Sequence, residues 1–273
     1  MRAKPTHLYA GTDQTGKGKI ESSRVKGVAI VSIDRPPVNS LPGYLMVELE
    51  KSIEQLAGDS QIKVIIITGT GKTFASGADI NEMACVKSAA EARAISETGQ
   101  KTYLKIEQCP KPVIAAIHGL CFGGGLELAL SCHMRFASDK TIFSMPEIQI
   151  GLLSAFGGSY RLPAAIGYGR ALQMMLTAQK INSSQALSFG LVNDVFPAES
   201  MIDEVRKIAL QMCKYSSATM RYILQTALKG RFAEMNETLK AEAEAVGKLY
   251  DMNDLKEGVF AWIEKRKPDF KDC

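Results

Sequence analysis

The stretch Ile114-Ala-Ala-Ile-His118-Gly119-Leu-Cys-Phe-Gly123-Gly124-Gly125-Leu-Glu127-Leu-Ala-Leu-Ser-Cys-His133-Met134 decides how this chain folds. An apolar run ends in a glycine-rich turn, and a second apolar run with helical spacing starts inside that turn. Val113 to Ile117 therefore reads as a strand, Gly119 to Gly125 as a loop, Gly124 to Cys132 as a helix and Met134 to Ala137 as another strand. A helix starting here carries unpaired N–H groups in its first turn, and those favour negative charge. Three consecutive glycines also let a ligand approach the backbone, because no Cβ stands in the way. Taken alone, the triplet reads more simply as tight packing of helix on sheet. Glu127 changes that reading, since a carboxylate inside LELAL is either a dipole-stabilising residue or a group facing a pocket.

Upstream, the same alternation recurs. Val28 to Ile33 reads as a strand, Tyr44 to Leu56 as a helix, Val64 to Thr68 as a strand and Ala89 to Glu107 as a helix ended by Pro110 and Pro112. Continuous apolar strands separated by helices predict βαβ crossovers and a parallel sheet covered on both faces. The loop Thr73-Phe-Ala75-Ser76-Gly77-Ala78-Asp79-Ile80-Asn81-Glu82-Met83 follows the Val64 strand as the glycine triplet follows the Val113 strand. If those strands are parallel neighbours, both loops lie at the carboxyl edge of the sheet, where α/β proteins bind ligands. Gly69-Thr-Gly71-Lys72-Thr73 looks like a phosphate loop, but Ile66 stands where its first glycine belongs.

Downstream, Phe143-Ser144-Met145-Pro146-Glu147-Ile148-Gln149-Ile150-Gly151 supplies a second carboxylate. By itself Glu147 reads as a turn or helix-start residue after Pro146. Beyond Leu162 four or five helical segments follow, with Leu191 to Val195 as a further strand. The amphipathic spacing over residues 200–265 fits packing across a subunit interface, and helices folded back on their own core would show the same spacing. The expected organisation is a flexible extension over 1–22, a core with the ligand site over 23–200 and a helical oligomerisation region over 201–273.

Composition narrows the functional classes. With 273 residues and 46% hydrophobic content the chain can bury a large core, which excludes disorder. A formal net charge of +4 is too small, and too dispersed outside Lys265, Arg266 and Lys267, to predict nucleic acid or membrane as the partner. The six cysteines form no CxxC pair and have no histidine at metal-ligand spacing, so reduced thiols and a cytoplasmic location are expected, with no metal site. No apolar run reaches the roughly 20 residues needed to cross a bilayer.

Taken in order, RPPVNSL, FASGADI, HGLCFGGGLELALSC, PEIQIG and EGVFAWIEKRKPDF resemble the enoyl-CoA hydratase/isomerase (crotonase) superfamily over about Arg24 to Phe270. The resemblance implies an α/β fold, the crotonase ββα spiral core with a helical C-terminal region, assembled as a trimer or a dimer of trimers. It implies that the N–H groups of Ala78 and Gly124 form an oxyanion hole for a thioester carbonyl, where such donors are worth a few kcal/mol. It also implies catalytic roles for Glu127 and Glu147, Glu147 giving a proton to C2 and Glu127 holding and activating the water. Hydration of a 2-enoyl-CoA needs such a base and acid on one water, with no metal and no cofactor beyond the coenzyme A of the substrate. Ala75, Asp79, Ile80, Met83, Tyr103 and Phe156 are the implied acyl-CoA contacts, and Lys265 matches a family lysine near the coenzyme A phosphates. One departure is Ser154-Ala155-Phe156-Gly157-Gly158, where many hydratases carry Pro-Gly, so the loop beside the water is reshaped. A dehydratase of a cyclic or branched acyl-CoA or an enoyl-CoA isomerase is the nearest alternative. An RNA-binding relative is the alternative outside enzymes, although no dense basic helix or aromatic and basic stripe is present.

Overall fold

A computed structural model describes residues 18–231, 235–250 and 252–271, with 235–238 and 250 described for backbone only. The strands are β1 (Lys19–Val25), β2 (Val28–Asp34), β3 (Ser40–Leu41), β4 (Val64–Gly69), β5 (Gly77–Ala78), β6 (Val113–Ile117), β7 (Leu120–Phe122), β8 (Met134–Ser138), β9 (Ile142–Ser144), β10 (Ile181–Asn182) and β11 (Asp194–Phe196). The helices are α1 (Gly43–Gly58), α2 (Ile80–Ala84), α3 (Ala89–Glu107), α4 (Gly124–Ser131), α5 (Gly158–Ile166), α6 (Tyr168–Thr177), α7 (Ser183–Phe189), α8 (Met201–Met212), α9 (Ser217–Gly230), α10 (Met235–Tyr250) and α11 (Asn253–Ile263).

The main sheet has the order β1-β2-β4-β6-β8-β11. From β2 onward all its pairs are parallel, and β4 lies beside β6 with Ile66 opposite Ile114. The sequence reading of neighbouring parallel strands therefore holds. Both faces are buried, as the unbroken apolar runs require. Val31, Ile33, Ile65, Ile67 and Ala115 face a core with α1, α3 and α4, while Val28, Ile30, Val64, Ile66 and Ile114 face α8. A second sheet, β10-β9-β7, carries β7 just before the glycine triplet and β9 just before the Glu147 turn.

Several expectations are corrected. Residues 1–17 of the anticipated extension lie outside the described residues, but Lys19 to Ser22 begin β1, antiparallel to β2 with Lys19 opposite Asp34. Its polar composition conceals an edge strand that needs only Ile20 to pack on the core, and the turn Lys26-Gly27 has φ of 48° and 85°, both positive as a tight hairpin demands. The strand expected at Leu191 to Val195 starts only at Asp194. Leu191 and Val192 are buried in a turn whose Leu191 carbonyl accepts from Arg135 Nε. The boundary at 201 also moves, because α8 buries Met201, Val205 and Ala209 on the main sheet and so belongs to the core. On α11, by contrast, Phe260, Trp262 and Ile263 are exposed, Trp262 by 87%.

Candidate active site

The loops after β4 and β6 meet at the carboxyl edge of the sheet. The β4 loop pairs β5 with β3 in a two-stranded sheet, which presses Gly77 and Ala78 against the start of α4. At Gly77, with φ of +100°, a Cβ would lie 3.0 Å from Gly124 N, and one on Gly124 would lie 3.4 Å from Ala78 N. The amides of Ala78 and Gly124 are thus close neighbours, and only glycine at position 77 permits the approach. Gly124 opens α4, so its N–H is among those that helix geometry leaves without an intrahelical acceptor.

A cavity of about 890 Å³ opens beside these amides. Ala78, Gly124, Glu127 and Glu147 all line it. Every residue of α4 is buried, so Glu127 is a carboxyl group in an otherwise apolar helix and is itself only 2% exposed. Its Oε1 accepts from Phe156 N at 2.8 Å and from Gly158 N at 2.7 Å. Glu147 starts a 3-10 turn after Pro146, and its Oε1 lies 2.9 Å from where a Cβ on Gly123 would stand. Its Oε2 is buried without a hydrogen-bond partner among the described residues. Burial drives both acids toward their neutral forms. Glu127 is pushed up to about 7, chiefly by burial and also by the charge of Glu147, against the pull of its two N–H donors. Glu147 is raised as well, by burial against its own backbone N–H.

The residues picked out from sequence divide into three groups. Asp79, Ile80, Met83 and Phe156 line the cavity with the two glutamates and the two amides. Asp79 does so as a structural group: it caps α2 through Asn81 N and Glu82 N and pairs with Arg35 Nη2 at 2.6 Å. Phe156 presents its ring to the cavity and packs edge-on against Tyr103, with ring centres 5.7 Å apart. Ala75, Tyr103 and Lys265 do not line the cavity. Ala75 is fully buried beneath Gly125, where a Cβ would stand 2.2 Å from the Ala75 carbonyl oxygen. Tyr103 is fully buried behind the site and donates its hydroxyl to the Gly124 carbonyl at 2.7 Å. Lys265 is exposed after the end of α11.

Sequence reasoning missed the charged groups that support the site. Arg35, inside the RPP segment, anchors Asp79. Glu107 and Arg161 form a buried ion pair at 2.7 Å next to the Phe156 loop. An arginine between Tyr160 and Leu162 gives no periodic signal, and its partner lies 54 positions away in the chain.

Comparison with known proteins gives concordant findings. The family model described as Enoyl-CoA hydratase/isomerase matches residues 23–273. A crotonyl-CoA hydratase of Syntrophomonas wolfei is 38% identical over 245 residues, 89% of this chain and 94% of that protein. A probable enoyl-CoA hydratase of Bacillus subtilis is 36% identical over 245 residues, 89% of this chain and 95% of its own. Among solved structures, an enoyl-CoA hydratase from Bacillus anthracis superimposes with a TM-score of 0.89 at 31% identity, covering 93% of this chain and 99% of that one.

Proposed function

The chain belongs to the enoyl-CoA hydratase/isomerase family, and from that membership and the cavity's geometry we propose that it adds water reversibly across the C2–C3 double bond of a 2-enoyl-CoA thioester. The observation that carries the reading is the opening of Glu127 and Glu147 onto one cavity beside the amides of Ala78 and Gly124. Attack of water at C3 drives electron density onto the thioester oxygen, and two fixed N–H donors stabilise that charge without reorganising. Glu127, whose Oε1 accepts two backbone N–H groups, is suited to be the carboxylate that holds the water and takes its proton. Glu147, with an oxygen buried and unpartnered, is suited to keep a proton and deliver it to C2. The charge of Glu147 helps to raise Glu127, so the protonation of one acid bears on that of the other. The reading assigns no cofactor apart from the coenzyme A of the substrate.

The apolar wall formed by Met83, Val86, Ile95, Leu152, Leu153 and Phe156 suits an acyl chain. The exposed Phe260, Trp262 and Ile263 suit contact with another copy of the chain, in a trimer or a pair of trimers. The experiment is an absorbance assay of enoyl-thioester loss over 2-enoyl-CoA substrates of increasing length and branching. Turnover of any of them, reduced by about 10²- to 10⁴-fold in Glu127→Gln, is expected. Absence of turnover across the whole series would overturn the reading.

A further inference from the structure

The loop Ser154 to Gly158 holds Glu127, and side chains of α3 and α5 hold the loop. The Phe156 and Gly158 N–H groups point at Glu127 Oε1. On the opposite side of the same peptide, the Ala155 carbonyl accepts from Ser96 Oγ at 2.7 Å and from Gln100 Nε2 at 2.9 Å. The next carbonyl, that of Phe156, accepts from Arg161 Nη1 at 2.9 Å. Arg161 is 7% exposed and binds Glu107 Oε2 through Nε at 3.2 Å and Nη2 at 2.7 Å. The other oxygen of Glu107 pairs with Arg231 Nη1 at 3.1 Å. Neither Arg161 nor Glu107 lines the cavity, so the pair does not meet a ligand there.

A buried ion pair is a poor way to gain stability, because apolar residues of the same shape often do as well once the loss of hydration is counted. Its geometric property is distinctive instead. Two nitrogens of the planar guanidinium are fixed on one carboxylate oxygen, which leaves the third aimed in a set direction. That direction is the Phe156 carbonyl, over a loop so close that a Cβ on Gly157 would stand 2.3 Å from Arg161 Nη1.

We propose that Arg161, aimed by Glu107, is a positioning residue for Glu127: by fixing the Phe156 peptide groups it keeps Glu127 Oε1 occupied, so that Oε2 is turned to the reacting water. The inference rests on the hydratase reading. Among the described residues Oε1 takes both donors and Oε2 takes none, and this division of labour sets the plane of the carboxyl group. Ser96 braces the same loop from α3.

The test is Arg161→Lys, which keeps the charge and loses the fork. Turnover of crotonyl-CoA should fall roughly tenfold to a hundredfold, the scale of a reacting group misplaced by about 1 Å, with KM changed by less than about twofold. The acid limb of the rate profile should move to higher pH, because weaker donors stabilise the Glu127 carboxylate less. In a Glu127→Gln background the same substitution should cost no more than about twofold, since its target is already gone. A folded Arg161→Lys protein with unchanged kcat and acid limb would overturn the inference, as would an undiminished cost in the Glu127→Gln background. Should Arg161→Lys not fold, Glu107→Gln keeps the size of the side chain that aims Arg161, removes its charge and lies outside the cavity lining. A lower kcat with a raised acid limb then supports the bracing, and an unchanged profile overturns it. Wild-type inactivity on crotonyl-CoA would instead sink the hydratase reading. Activity lost in Glu127→Gln yet retained in Arg161→Lys sinks this inference alone.

Discussion

The backbone N–H of Phe156 donates to Glu127 Oε1 at 2.8 Å across 29 positions of sequence. One acid of the site is thereby tied to the loop that differs from the Pro-Gly pattern, while the other, Glu147, enters the cavity from a separate turn. The two carboxyl groups are neighbours by tertiary structure and have different supports, which sets the first expectations.

Glu127→Gln and Glu147→Gln should each reduce crotonyl-CoA hydration by about 10²- to 10⁴-fold, the usual contribution of a positioned acid or base. Coenzyme A binding should persist, because glutamine keeps the size of each side chain that lines the cavity. Steady-state rates with calorimetric binding of coenzyme A check this, and full activity in either variant would remove that residue from the mechanism.

The rate should depend on pH in the neutral range. Burial pushes Glu127 up to about 7, so as the base it is only partly ionised there. The kcat/KM for crotonyl-CoA should therefore rise as pH increases toward about 7 and fall at higher pH, where Glu147 loses the proton it must deliver. A flat profile between about pH 6 and 8 would show that no group of this kind limits the reaction.

Stability should carry the opposite mark. The folded Glu127 holds its proton up to about 7, whereas its ordinary value is 4.5, so between those values the folded state binds more protons than the unfolded state. Wild-type stability should fall relative to Glu127→Gln as pH rises through that window, by at most about 1.4 kcal/mol for each pH unit of displacement. Thermal melts of both proteins at pH values across the window measure it, and parallel curves would contradict it.

Gly125→Ala separates structure from chemistry. A Cβ there would stand 2.2 Å from the Ala75 carbonyl oxygen, which is backbone and cannot swing aside. The variant should lose about 1–3 kcal/mol or more, as overpacked cores do, and should move the β4 loop relative to α4. Denaturant unfolding reads the loss, and a wild-type midpoint would show that the loop yields more easily than this contact implies.

Much of the framework was legible in the chain itself. Val64 to Ile67 and Val113 to Ile117 are apolar runs too short for helices, rich in β-branched residues and flanked by helical segments, so they read as strands buried on both faces of a parallel sheet with crossovers. The glycine triplet and LELAL likewise marked a helix start with an acid in it. What escaped was whatever needs a distant partner to acquire meaning. Lys19 to Ser22 reads as the end of a polar extension until β2 pairs with it, and Tyr103 reads as a pocket residue until its hydroxyl is seen on the Gly124 carbonyl. Glu107 and Arg161 are ordinary charged residues until folding buries them together. The sequence by itself determined the central parallel strands, the helices between them and the candidate acids, because periodicity and residue type are local properties. Only the tertiary structure decided which face of each element meets the cavity, which groups stand behind it and how the Phe156 loop grips Glu127, because those depend on hydrogen bonds and burial between positions that the chain keeps far apart.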